Sequence, residues 1–144
     1  MSLYLYFDRE PTKFYTLLLL DIDAPSRKKP TNRNWCLWGV ANIKGKSNSS
    51  SGKKPKNMVE VMESMFENSS HFLRYKGPQP GEKSGLHRYL FLVYEQEKGE
   101  LKKKFVLNQL RYRWRGKFRI EKLMAKNPGK LVAANMFKIE HFSL

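Results

Sequence analysis

Apolar positions along this 144-residue chain fall into short, dense runs separated by long polar stretches. Phe14 to Leu20 (FYTLLLL) is continuous, β-compatible and too short for a typical buried helix, which predicts a central strand covered on both faces. Trp35 to Ile43 (WCLWGVANI), ended by Gly45, and Leu86 to Tyr94 (LHRYLFLVY) predict two more such strands. Leu3 to Phe7 alternates aromatic and aliphatic residues before Asp8, Arg9, Glu10 and Pro11, the pattern of a short strand meeting a turn. Leu131 to His141, with Val132, Ala133, Met136 and Phe137 apolar, predicts the last strand.

Helical spacing occurs twice. In NMVEVMESMFEN (57–68), Met58, Val61, Met62, Met65 and Phe66 recur every three or four residues with Asn57 placed to cap, and this face suits a core contact or a docking surface. FRIEKLMA (118–125) repeats the spacing and stops at Asn127-Pro128-Gly129. Between the elements, Asp21 to Asn34 and Tyr75 to Gly85 are proline-bearing loops, and EQEKGELKKK is a charged turn. KSNSSSGKKPK has almost nothing to bury and predicts a mobile surface loop. No internal repeat is visible, and strands dominate: the class is mainly β, with a single domain over 1–144.

Charge sharpens this picture. Lys and Arg number 28 against 13 Asp and Glu, a net +15, so the protein attracts polyanions at long range: nucleic acid, an anionic membrane surface or an acidic partner. The one cysteine, Cys36, excludes an intramolecular disulfide framework and a multi-cysteine metal cluster, and favours a reducing compartment. No window approaches the roughly 20 apolar residues of a spanning helix, and MSLYLYFDREP is no signal segment, so a targeting segment would have to lie upstream of Met1.

Candidate chemistry gathers at two strand ends. If FYTLLLL and YLFLVY are antiparallel neighbours, Asp21 and Asp23 share one mouth with His87. An extended chain puts both acids on one side, where each raises the other's pKa unless a cation relieves them. Alternatively Asp21 caps the following turn and Asp23 pairs with Arg27 or Arg88. Nucleophilic catalysis has little to stand on: Cys36 sits in an apolar run, and Ser26 and Ser84 lack a G-x-S-x-G elbow. His71, His87 and His141 have no metal-ligand spacing, and neither metal nor cofactor is expected. LRYRWRGKFR (110–119) interleaves base and aromatic, so Arg111, Arg113, Trp114, Arg115, Lys117 and Arg119 form a candidate RNA-binding segment; the same residues also read as an edge strand with arginines outward.

DIDAPSR (21–27), GLHRYLFLVYEQ (85–96) and RGKF (115–118) resemble the signature segments of the phosphatidylethanolamine-binding protein (PEBP) family, also called Raf kinase inhibitor proteins. The resemblance implies a PEBP-like β-sandwich around a large antiparallel sheet with a few short helices and an anion pocket at one end. Asp21, Asp23, Pro25, His87 and Tyr89 fall on the family's ligand-binding positions. Three positions depart: Ile22 replaces a proline, Leu37 stands where a pocket histidine is usual, and Phe137 where a tyrosine is usual. The chain also reads as N-terminally short, without the family's C-terminal helix, and with a longer helix-bearing insertion at about 46–71, so an open pocket mouth and an exposed sheet edge are expected.

These readings imply a non-enzymatic, cytoplasmic binding or regulatory module for a phosphate-bearing ligand, either a phospholipid head group or a phosphorylated protein. The alternative is a basic RNA-contacting scaffold, such as the PEBP-like protein of the mitochondrial large ribosomal subunit, which would make the protein mitochondrial.

Overall fold

The computed structural model describes residues 9–45, 66–110 and 114–141. Five antiparallel strands, β1 (Phe14–Asp21), β2 (Trp35–Lys44), β3 (Ser70–Leu73), β4 (Leu86–Gln96) and β5 (Gly129–Glu140), form one sheet in the order β3-β2-β1-β4-β5. The fold is mainly β, as the runs of the sequence predict, and the three predicted central strands are the three inner ones. The predicted last strand starts at Gly129, directly after Pro128. The strand predicted at Leu3–Phe7, the loop at 46–56 and nearly all of the 57–68 helix lie outside the described residues.

FYTLLLL is apolar at every position but Thr16 because both faces of β1 are covered. Leu18 and Leu20 enter a cluster with Cys36, Phe72, Leu92, Val106, Leu110 and Leu123. Tyr15, Leu17 and Leu19 enter another with Trp38, Val40, Tyr89, Val93 and Phe137. Burying one such leucine contributes about 1.5–3 kcal/mol, so the alternation fixes the register of the whole sheet. Gly39 is part of the same fit: a Cβ there would come within 2.4 Å of the Phe72 ring.

A polar network crosses this apolar layer. Gln96 Oε1 accepts from Thr16 Oγ1 (2.8 Å) and from the Asn42 backbone N–H (2.9 Å), while its Nε2 donates to Asn42 Oδ1 and Gly99 O. Asn42, left-handed at φ 60, also exchanges two bonds with the Leu101 backbone. Asn127 Nδ2 donates to Thr16 Oγ1. The network ties β1, β2 and β4 to the chain entering the helices.

Two readings are corrected here. The charged turn is only its first part: after the turn near Gly99, helix α1 (Lys103–Phe105) begins and runs into a π-helical turn at Val106–Leu110. Val106 and Leu110 are four apart and both fully buried, a helical spacing hidden by the exposed residues around them. The edge-strand reading of 110–119 fails at its described positions: Leu110 closes the helical segment, and 114–119 is a loop turning at Gly116-Lys117, with Lys117 at φ 53. The helix expected over 118–125 is α2 (Ile120–Lys126). Phe118 stays outside it because it is buried in the core and its N–H donates to Asn34 O.

Candidate ligand pocket

The antiparallel pairing of β1 with β4 sets Asp21 opposite Tyr89, two residues from His87. Asp21 uses both carboxylate oxygens: Oδ1 accepts the Asp23 N–H at 2.8 Å, closing the turn after β1, and Oδ2 lies 2.7 Å from His87 Nδ1. Ser84 Oγ stands 2.8 Å from His87 Nε2 and donates to Gly81 O at 2.6 Å. The line Ser84–His87–Asp21 has the spacing of a catalytic triad. It lacks the proton direction of one, because the single Ser84 hydroxyl proton is committed to Gly81 rather than to the imidazole.

Asp21 and His87 open on a cavity of about 290 Å³, lined also by Pro25, Asn32, Trp35, Leu37, Lys76 and Gln79. Leu37 is placed there by a bulge. β1 pairs Leu19 with Trp38 and then Leu20 with Cys36, so Leu37 is the extra residue. Its carbonyl accepts the Lys76 N–H and Arg115 Nη1, which brings the loop carrying Lys76 and Gln79 over the pocket. The sequence predicts the 75–85 loop, but nothing in its pattern singles out Lys76 or Gln79. The Ala24–Pro25 and Arg33–Asn34 peptide bonds are cis.

The two acids part company. Asp23 is fully buried and lies outside the cavity lining; it takes three bonds from Arg88, and Arg33 Nη2 approaches at 3.5 Å. The Arg88 hydrogen bonds hold its carboxyl at about 2, below the usual carboxylate value and against the effect of burial. Of the two readings, the turn cap at Asp21 and the arginine pair at Asp23 are what the chain adopts. Arg33, absent from the sequence expectations, also donates through Nε to Ile22 O.

Tyr89 likewise sits behind the cavity. Its ring stacks between His87 and Phe137, with centroids 6.2 and 5.0 Å away. Its hydroxyl is buried near Asp21, and burial, then the Asp21 charge, push its pKa up. Phe137 backs this stack and is not part of the cavity lining.

Of the candidate RNA-binding segment, Arg111 and Arg113 lie outside the described residues. Arg115 is engaged internally, donating to the carbonyls of Cys36, Leu37 and Arg74. Lys117 and Arg119 are exposed. Trp114 is 62% exposed and packs edge-on against Trp35 at 5.2 Å. Cys36 is buried, and burial pushes its thiol up to about 12. Among the described residues no cluster of three His, Cys, Asp or Glu side chains could hold a metal, and no helix is long and apolar enough to cross a membrane.

An acid at the end of one strand, set against a histidine on its antiparallel neighbour beside a bulge, is the geometry of a binding module, and the chain belongs to the phosphatidylethanolamine-binding protein family, whose model matches residues 2–131. The family is one of non-enzymatic binding or regulatory modules. The chain is 33% identical over 90 residues to "Putative odorant-binding protein A5" of Drosophila melanogaster, which covers 62% of this chain and 34% of that protein. In fold it is similar to a carboxypeptidase Y inhibitor solved with its cognate proteinase (TM-score 0.64, 22% identity, 96% of this chain and 63% of that one). It is also similar to the phosphatidylethanolamine-binding protein of Plasmodium vivax (TM-score 0.57, 23% identity, 90% and 65%). The chain thus spans about a third of the curated relative's length and somewhat under two thirds of those solved chains.

Proposed function

We propose that the domain holds a phosphate-bearing ligand, a phospholipid head group or a phosphorylated protein segment, in the Asp21–His87 cavity, without catalysis. The observation that carries this reading is the buried Asp21–His87 contact opening on a 290 Å³ space with Lys76 in its wall. Asp21 and Ser84 hold the imidazole fixed as one wall of the cavity, and the lysine supplies a mobile positive charge for the phosphate. Pro25 shapes the wall, Tyr89 backs the histidine, and Asp23 fixes the turn that carries Pro25. Leu37 presents an alkyl group to the ligand and gives no donor. The names of the relatives above, which speak of binding and of inhibition, agree with a non-catalytic role. A buried free thiol suits a reducing, cytoplasmic setting.

Calorimetric titration with phosphorylethanolamine tests the reading. Saturable binding that disappears in His87→Ala supports it, and equal affinity in the variant ends it.

The exposed Trp114 beside Lys117 and Arg119 favours a second reading, an RNA contact by stacking and charge. RNA retention with a steep salt dependence, weakened in Trp114→Ala, supports that role; no retention at about 150 mM salt removes it.

A further inference from the structure

A second cavity, of about 400 Å³, lies on the other side of the Ser84–His87 contact. It is lined by Ser26, Arg27, Lys28, Lys83, Ser84, Gly85 and Leu86, so three of its seven walls are cations and none is an acid. Among the described residues no ion pair engages Arg27, Lys28 or Lys83. The buried Asp23 carboxylate feels the Arg27 charge but is already held by Arg88. Placing three uncompensated cations around one concavity costs electrostatic energy unless an anion joins them.

The remaining walls add directed donors. Ser26 Oγ accepts the Lys29 N–H, which leaves its own proton free to donate outward. Lys83 and Gly85 are both left-handed, at φ 60 and 78, and curl the loop around Ser84 into a concave wall of the kind that commonly hosts anions. The two segments that meet here, 26–28 and 83–86, are brought together by the antiparallel approach of β1 and β4.

We infer that this second cavity is an anion site separate from the Asp21–His87 pocket, and that it takes a phosphoryl group, whether of a free phosphomonoester or of an anionic phospholipid head group. Arg27, Lys28 and Lys83 supply the charge, and the Ser26 hydroxyl supplies a directed hydrogen bond. A ligand with two phosphoryl groups has one place for each, on either side of the Ser84–His87 contact.

The test is an amide and indole NMR titration of the full chain with inorganic phosphate and then phosphorylethanolamine. The expected result is saturable shifts at Arg27, Ser84 and Gly85, weakened about tenfold or more in the double variant Arg27→Ala/Lys83→Ala. Both substituted side chains are exposed, so the fold is not at stake. Signals of Gly77 and the Trp35 indole report separately on the first pocket and should respond to phosphorylethanolamine equally in both proteins. Shifts confined to Gly77 and Trp35, a linear drift without saturation, or unchanged affinity in the double variant each overturn the second site without touching the first. Co-sedimentation with phosphatidic acid vesicles, lost in the double variant, assigns the lipid source; saturable phosphate shifts without sedimentation assign the free phosphomonoester.

Discussion

Asp23 and Arg88 are joined three times across the end of the sheet. The Arg88 backbone N–H and Nε both reach Asp23 Oδ2, at 2.8 and 2.9 Å, and Nη2 reaches Oδ1 at 2.9 Å. The carboxylate is fully buried and the guanidinium only partly exposed, so the pair is shielded from water and salt.

Because the Asp23 carboxyl is held at about 2 in the folded protein against 3.8 ordinarily, its contribution is present above pH 4 and is lost as pH falls through 2. The shift corresponds to about 2 kcal/mol. Urea unfolding followed between pH 5 and 2 should show that loss, and Asp23→Asn, less stable by about 2–4 kcal/mol at pH 7, should show a flatter pH dependence.

Leu37 lines the ligand cavity where it can offer no hydrogen bond. Leu37→His should tighten phosphorylethanolamine binding by about tenfold, at some loss of thermal stability because Leu37 is 2% exposed and part of the core. Calorimetry on Leu37→His and on Leu37→His/His87→Ala separates the two imidazoles; unchanged affinity in the single variant would show that the position faces no ligand donor or acceptor.

Gln96 satisfies four partners in the network under β1 and β2. Gln96→Ala strands buried groups of Thr16 and Asn42 and should cost about 2–4 kcal/mol in denaturant unfolding. The adjacent exposed Glu97→Ala serves as the control and should stay within about 0.5 kcal/mol of the parent.

With its thiol pushed up to about 12 by burial, Cys36 should resist thiol reagents at pH 8 in the native protein and react within the mixing time in denaturant. Prompt labelling under native conditions would mean that β2 opens readily around it.

The inner strands were legible because burial on both faces writes itself as unbroken apolar runs such as FYTLLLL, and the antiparallel meeting of Asp21 with His87 followed from where two such runs end. The split between Asp21 and Asp23 was visible as one of two readings of the same spacing. Period two puts both acids on one side of an extended chain, but Asp21 itself ends the extension by accepting the Asp23 N–H. Three features left no readable pattern. The bulge at Leu37 depends on a register between strands, the π-turn at Val106–Leu110 shows only two buried positions in a charged stretch, and the role of Arg115 rests on carbonyls from two other segments. The cation cluster of the second cavity was likewise split, with Lys83 more than fifty residues from Arg27 and Lys28 in the chain until β1 and β4 pair.

Along the outside of the sheet, β5 runs twelve residues with Leu131, Val132 and Met136 exposed, and among the described residues no strand pairs with its outer edge. Such an edge is a template for a second copy, and what opposes that encounter is repulsion between molecules that each carry +15. The colloidal behaviour should therefore run backwards from that of an ordinary globular protein: as salt rises from about 0.1 to 1 M and the screening length shrinks from about 10 to 3 Å, light scattering should report growing association, and dilute buffer, not saline, should be the condition in which the protein stays dispersed.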